Sequence, residues 1–135
     1  MRRELTSTER DFLQEARYAV LGTINDDGSA HLTVMWYTLD GDEIMFNTAA
    51  GRRKPENLTR DPRASLIVPD GYRFVRVDGP VRRIDDRDVT QNDIRRLAQR
   101  YYGDEHKTAE AMTRFSTQQR ITYRMPIRRV YSSGL

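Results

Sequence analysis

The sequence predicts a mainly β protein, built as an antiparallel barrel of six or seven strands that is closed or nearly closed. Short runs of β-forming residues recur along most of the 135 residues, and tight turn motifs separate them. One helical stretch, residues 86–115, interrupts the strands. Because no internal repeat, linker or low-complexity segment is visible, a single domain over residues 1–135 is expected.

The first elements are a short helix and a hairpin. Thr6 and Glu9 have capping-box spacing before an apolar helical pattern, which predicts a helix start. Residues 18–24 are rich in β-formers and run into the turn sequence of residues 25–28, Asn-Asp-Asp-Gly. Residues 31–39 supply the partner strand, and residues 44–48 continue the antiparallel meander.

The middle of the chain predicts a basic loop, a short helix and two or three further strands. Pro55 fits the first turn of a helix, and residues 61–63 end it. Residues 64–68 form an apolar strand, and residues 72–77 alternate as a half-exposed strand does. The Gly79-Pro80 step indicates a bulge or bend before a short strand at residues 81–84.

The remaining residues predict two helices and a closing strand. Ile94, Leu97, Ala98 and Tyr101 share one helical face, and a second helix is expected after Gly103. Residues 120–131 then alternate apolar and polar side chains. Pro126 within that run marks an edge or an irregularity.

Composition excludes several classes of function. The chain has no cysteine, which rules out disulfides, thiolate catalysis and cysteine-based zinc or iron–sulfur sites, and its two histidines give poor support for a metal site. No apolar run reaches membrane-spanning length, and polar residues follow the N-terminal Met-Arg-Arg-Glu. The expected location is the cytoplasm, without membrane contact.

The basic turn at residues 52–54, Arg-Arg-Lys, is the most informative stretch for function. It follows a strand that ends at Thr48 and leads into a predicted helix, where backbone N–H groups attract anions. Cationic side chains there would add charge-assisted hydrogen bonds to a phosphate. A solvated basic turn has the same spacing, so the pattern alone leaves both interpretations open.

A resemblance to a known family favours the phosphate. Five segments in order, residues 19–24, 46–58, 61–65, 73–79 and 95–103, carry it and together span nearly the whole chain. With these segments the sequence resembles the pyridoxamine 5'-phosphate oxidase-like split-barrel superfamily, in its short branch that uses the deazaflavin coenzyme F420. The resemblance implies an FMN-binding split-barrel type of fold and a homodimer that clasps the cofactor at its interface.

The resemblance also implies which residues contact the cofactor. The phosphate and ribityl side would be served by Thr48, Arg52, Arg53 and Lys54, with Asn57 bracing the phosphate loop. The edge of the ring would be lined by Met35, Trp36, Phe46 and Asn47. Tyr72 and Phe74 would pack on the ring from the partner subunit. A tryptophan is more often a core or interface anchor than a stacking platform, because it can bury a large area, and Trp36 is kept as a candidate wall of the pocket.

Two departures argue against oxidation of pyridoxamine phosphate itself. Phe74 stands where those oxidases carry a glutamine that serves FMN, and the C-terminal residues 130–135 lack their Arg and His substrate pattern. The expected activity is hydride transfer between F420 and an unsaturated or quinone-like small organic substrate. No residue is predicted as a nucleophile or proton donor, because the cofactor supplies the chemistry.

Three alternatives stay open at this stage. The same fold could bind FMN, or it could carry a flavin or deazaflavin without catalysis. The third alternative uses residues 52–54 and Arg128-Arg129 as a nucleic-acid surface, in line with a sequence pI of 9.4. A net charge of only +3 and the lack of a groove-reading motif rank it last, so no nucleic-acid partner is expected.

Overall fold

The computed structural model describes residues 4–135, which form four helices and nine strands. The helices are α1 (Ser7–Gln14), α2 (Arg53–Arg60), α3 (Arg87–Tyr102) and α4 (Glu105–Phe115). The strands are β1 (Ala19–Ile24), β2 (Ala30–Met35), β3 (Thr38–Asp40), β4 (Glu43–Ala49), β5 (Arg63–Asp70), β6 (Arg73–Pro80), β7 (Arg82–Ile84), β8 (Arg120–Pro126) and β9 (Arg129–Ser133). No helix within residues 4–135 is both long enough and apolar enough to cross a bilayer.

The strands form two antiparallel sheets that enclose one core. The larger sheet has the order β2-β1-β5-β6-β9, and the smaller has the order β3-β4-β8-β7. Their facing side chains, among them Leu21, Phe46, Leu66 and Tyr123, are fully buried between the sheets. Helices α3 and α4 pack on the outer face of the smaller sheet through a second cluster that includes Met45. Strand β4 is therefore buried on both faces, and it reaches the functional site from the centre of the molecule.

Local sequence signals place the helix ends. Thr6 Oγ1 accepts from the backbone N–H of Glu9 at 3.1 Å, and Glu9 Oε1 accepts from the N–H of Thr6 at 2.8 Å, so the predicted capping box is confirmed. Gly103 ends α3 with φ +62°, a left-handed conformation that favours glycine. Asp104 then caps α4, which confirms two helices in residues 86–115.

The strand count exceeds the predicted six or seven because two predicted strands are each divided. Residues 31–39 give β2 in the larger sheet and β3 in the smaller sheet, and the chain changes sheets at Trp36 and Tyr37. Residues 120–131 are divided after Pro126, where the chain leaves β8 and joins the larger sheet as β9. Each division is a crossing between sheets, which alternation of polar and apolar residues does not reveal.

Gly79 lies where the second crossing passes over β6. A Cβ atom at this residue would collide with the backbone carbonyl oxygen of Pro126 and would lie 3.2 Å from Met125 Cγ. Arg128, two residues after Pro126 in the same crossing, donates its backbone N–H to the Asp78 carbonyl at 2.9 Å. The predicted irregularity at Gly79-Pro80 is thus a close approach of two backbone segments at the seam between the sheets.

Candidate functional site

A cleft of about 350 Å³ opens at one end of the barrel, between strands β2 and β4, the start of α2, and the α3–α4 pair. It is lined by six of the residues that the sequence predicts for the site, namely Met35, Trp36, Asn47, Thr48, Arg52 and Lys54. The loop after β4 and the first turn of α2 bring the basic residues to the cleft. The structure therefore brings together most of the residues predicted to contact the cofactor phosphate and part of those predicted to line the edge of its ring.

Four cationic side chains converge on the cleft, from Arg52, Lys54, Arg114 and Arg120. Within the part of the chain that the structure describes, no Asp or Glu lines the cleft. Burial, with Arg52 and Arg120 nearby, lowers the pKa of Lys54. Burial, with Arg52 and Arg114 nearby, lowers the pKa of Arg120 to about 10. The protein thus holds like charges together at a cost in free energy, which a bound anion would offset.

The N-terminus of α2 adds to this positive potential. Arg52 is the N-cap residue and forms no side-chain capping hydrogen bond. Arg53 and Lys54 follow in the first turn, although cations are unfavourable at the positive end of a helix. The early N–H groups of a helix lack intrahelical acceptors, so they can donate to a ligand. Glu56 in the same turn does not line the cleft and Pro55 has no N–H, so the features suited to an anion are the uncapped N–H groups together with Arg52 and Lys54.

A buried hydroxyl group also points to a ligand. Thr48 is only 2% exposed and lines the cleft, and its Oγ1 has no hydrogen-bond partner among the described residues. Buried polar atoms are paired in the great majority of cases. Of the three buried hydroxyls without a partner among the described residues, those of Thr33, Thr48 and Tyr123, that of Thr48 belongs to a residue of the cleft lining and could donate to an oxyanion. This donor set therefore fits the phosphate group that the sequence predicts.

Aromatic side chains form the other wall of the cleft. The Trp36 ring stacks on Tyr101 with a centroid distance of 5.2 Å, and it meets Tyr102 edge to face at 5.3 Å. Tyr101 in turn stacks on Tyr18 and donates its hydroxyl to the Arg17 carbonyl at 2.6 Å. Trp36 is thus both a packing anchor and a wall of the cleft, so the two predicted roles coincide.

Three residues that the sequence predicts for the site have side chains that do not line the cleft. Phe46 is fully buried inside the barrel, where it stacks on Tyr123, because neighbouring strand residues point to opposite faces. Asn57 is also turned away, and its amide nitrogen donates to Thr23 Oγ1 and Asn25 Oδ1, both at 3.1 Å. The Phe46 side chain therefore does not reach this cleft. Asn57 fixes α2 against β1, and its predicted role of bracing the phosphate loop stays a prediction.

Arg53 is the third of these residues. It is exposed and absent from the cleft lining, and its charge lies near Asp27, where it contributes to lowering the pKa of that carboxyl after the bonds from Ser29. Successive residues at a helix start point in different directions, so Arg52 and Lys54 face the cleft while Arg53 does not. The prediction that Arg53 holds the phosphate is therefore not supported within a single chain.

Tyr72 and Phe74 lie at the hairpin between β5 and β6. Tyr72 is 99% exposed in the turn, and Phe74 is half-buried in β6, paired with Pro69 and Ser133. Neither residue lines the cleft of its own chain. Their predicted contact with a ring held by the partner subunit stays a prediction.

Sequence reasoning missed Arg114, Gln118 and Arg120. Arg120 reaches the cleft because β8 pairs with β4, which sets Arg120 opposite Ala49 and Thr122 opposite Asn47. Arg114 comes from the last turn of α4. The available signal was the polar Arg120 and Thr122 alternating with apolar residues in the closing strand, which marks a second, partly polar face.

The uncapped and positively charged start of α2 leads to a prediction about stability. We expect Arg52→Ser to raise the free energy of unfolding of the ligand-free protein by about 1 kcal/mol, because serine is a good N-cap and a repelling cation is removed. Urea unfolding in an anion-free buffer measures this. A loss of stability would show that Arg52 makes a favourable contact that outweighs the repulsion. Arg95→Ser, at an exposed site in α3, is the control and should show no gain.

The fold agrees with the family that the sequence matches. Residues 5–125 match the pyridoxamine 5'-phosphate oxidase family, so the chain belongs to that family. The predicted superfamily is thereby confirmed, and the two sheets with their crossings are the split-barrel fold that it implies.

The names of individual relatives support the assignment of the chain to the F420-dependent branch. The chain is 32% identical over 92 residues to the F420H(2)-dependent biliverdin reductase of Mycobacterium tuberculosis, covering 67% of each chain. It is 30% identical to a conserved hypothetical protein of Mycobacterium tuberculosis of known structure, with a TM-score of 0.76, covering 96% of this chain and 84% of the other. A structure named F420 Reductase shares the fold, with a TM-score of 0.76 at 22% identity, covering 94% of this chain and 98% of the other.

Proposed function

We propose that this protein is an oxidoreductase that binds coenzyme F420 in the four-cation cleft and transfers a hydride between it and an unsaturated or quinone-like small organic molecule. The observation that carries the site is the convergence of Arg52, Lys54, Arg114 and Arg120 beside the orphan Thr48 hydroxyl. Support for F420 as the cofactor comes from the 32% identical relative, whose name specifies F420H(2) dependence.

The chain's own residues would bind and orient the cofactor. Lys54 and Arg52 would hold the phosphate, and Thr48 would donate its hydroxyl to a phosphate oxygen, which satisfies the orphan group. The apolar side of the cleft, Met35 and Trp36, would exclude water from one edge of the ring. When bound, the deazaflavin supplies the hydride chemistry, while the protein supplies position and surroundings.

The test is titration calorimetry of the purified protein with F420 and with FMN, followed by spectroscopic assays with organic acceptors. We expect F420 to bind more tightly and reduced F420 to be oxidised when an acceptor is present. Tighter binding of FMN would favour the alternative, an FMN-binding oxidoreductase of the same fold. Tight F420 binding without turnover on any acceptor would favour a carrier, and binding of neither cofactor would refute the proposed function.

We also propose a homodimer formed through the outer face of β2. Leu32 and Val34 alternate along this edge strand and are 65% and 69% exposed. Val34 borders the cleft, and Leu32 borders a second groove of about 700 Å³ on the larger sheet. An apolar stripe on an unpaired edge favours burial against a second copy, which would also close the cleft.

Analytical ultracentrifugation at micromolar concentration tests the dimer. The wild type should sediment at twice the chain mass, and Leu32→Lys together with Val34→Lys should shift it to the monomer, because two buried cations would face each other across the interface. The control is Val89→Lys, which changes an exposed valine on α3. A monomeric wild type would remove this proposal.

A further inference from the structure

We propose that Arg120 is an anion-binding residue of the cleft and that Asn47 is the positioning residue that aims its guanidinium group. This inference rests on the proposed function, since both place an anionic ligand in the same cleft. It reassigns Asn47, which the sequence predicts as a contact to the ring edge. It also adds a cation that arrives from β8, far along the chain from the basic turn.

Arg120 is held as a buried cation with one end free. It is only 8% exposed and lines the cleft. Its Nε donates to Asn47 Oδ1 at 2.9 Å, and its Nη1 donates to Gln118 Oε1 at 2.7 Å. Among the residues that the structure describes, Nη2 has no hydrogen-bond acceptor, and no carboxylate pairs with this guanidinium.

Other arginines of the molecule have acceptors for their terminal nitrogens, since Arg100 donates through both of its Nη atoms to backbone carbonyls. Arg96 and Arg124 in the same molecule both bind the carboxylate of Asp40, at 2.7 and 3.1 Å. Buried charges are normally paired, because desolvation of an unpaired ion is costly. Arg120 meets neutral acceptors and the ring of Phe115, whose centroid lies 4.9 Å from its Cζ, and it lies among cations. A ligand anion is therefore the charged partner that would complete its environment.

Asn47 fixes the direction of the Arg120 guanidinium group, because both its amide nitrogen and its amide oxygen form hydrogen bonds. Its Nδ2 donates to the Thr90 carbonyl at 3.0 Å and to Thr122 Oγ1 at 3.1 Å, so its Oδ1 must face Arg120. Thr122 Oγ1 in turn donates to Asp93 Oδ2 at 3.0 Å. The chain of bonds ties the orientation of Arg120 to α3, which carries Thr90 and Asp93.

The chemistry of the ligand follows from the donors. Arg120, Thr48 and Lys54 all line one small cleft, and no carboxylate of the described residues lies there to accept from their donor groups. A phosphate-type group offers several acceptor oxygens and more than one partial charge, which matches convergent donors better than a single carboxylate does.

Titration calorimetry of the purified protein with inorganic pyrophosphate as the probe tests the inference. We expect Arg120→Gln to weaken pyrophosphate binding about 10- to 100-fold and Asn47→Ala about 5- to 10-fold. Combining the two should weaken it no further than Arg120→Gln alone, because Asn47 acts through Arg120. A purely structural role for Asn47 would instead lower thermal stability and leave this coupling absent.

Arg120→Lys keeps the charge but removes the Nε donor, so it should bind pyrophosphate with intermediate affinity and keeps the test valid if Arg120→Gln folds poorly. Arg95→Gln, an exposed arginine on α3, is the control and should bind as the wild type does. Lys54→Ala separates the two proposals. If only Lys54→Ala weakens binding, the role of Arg120 is refuted and the phosphate site stands. If neither Lys54→Ala nor Arg120→Gln weakens binding, or if the wild type does not bind pyrophosphate, the anion site in this cleft is refuted, whereas calorimetry with F420 and FMN decides the proposed function.

Discussion

Lys54→Ala is expected to weaken cofactor binding about 10- to 100-fold, whereas Arg53→Ala should leave the affinity within about twofold of the wild type. The two residues are adjacent in the sequence and both are cationic, yet only Lys54 lines the cleft. Burial and the neighbouring arginines lower the pKa of Lys54, so a bound anion would relieve the repulsion that its ammonium group experiences. Titration calorimetry with F420 and FMN measures the effect.

Arg53→Ala is the matched control for that experiment, because it removes the same charge from the same turn. Net charge and long-range steering then change equally in the two variants. An equal loss of affinity in both would show that overall positive potential, and not the Lys54 contact, binds the cofactor. Circular dichroism of both variants would establish that α2 is retained.

Gly79→Ala is expected to lower the free energy of unfolding by about 3 kcal/mol, because the added Cβ meets the Pro126 carbonyl and the backbone has to move. For a chain of this size, that corresponds to a fall of about 10 °C in Tm. The displacement would separate β6 from the crossing that leads into β9, so the seam between the two sheets would open first. Thermal unfolding followed by circular dichroism measures it.

Gly22→Ala serves as the control, since it makes the same change in the same sheet. There the added Cβ would lie 3.3 Å from a methyl group of Leu32, an exposed side chain that can move aside, and 3.7 Å from the Ser65 carbonyl. Equal losses of stability in both variants would mean that the close approach at Gly79 relaxes freely. A loss confined to Gly79→Ala would support the seam as a rigid junction.

Local chemistry made much of this fold predictable. The capping box at Thr6 and Glu9, the turn at Gly28 and the left-handed Gly103 depend on neighbours within a few residues, and the structure contains all of them. The divisions at Trp36 and Pro126 depend on which sheet each segment joins. That choice is decided by packing between residues distant in sequence, which a periodic pattern does not encode.

The site was predictable to a similar extent. The basic turn identified Arg52 and Lys54, but consecutive residues in a strand or a helix start face different ways, so not all of a run can contact one ligand. Phe46 and Asn47 show this directly, since one fills the barrel and the other faces the cleft. The alternation in the closing strand marked Arg120 as lying on a partly polar face, but only the pairing of β4 with β8 brings that face to the cleft.

Trp36 is the only tryptophan of the chain, and it stands at the cleft, stacked on Tyr101. Its intrinsic fluorescence therefore originates from the place where a ligand would settle, with no contribution from an indole elsewhere. Occupancy of the cleft can be followed by emission from the unlabelled protein. In denaturation experiments the same signal reports the loss of packing against α3 and α4, so comparison with circular dichroism would show whether that side separates before the strands do.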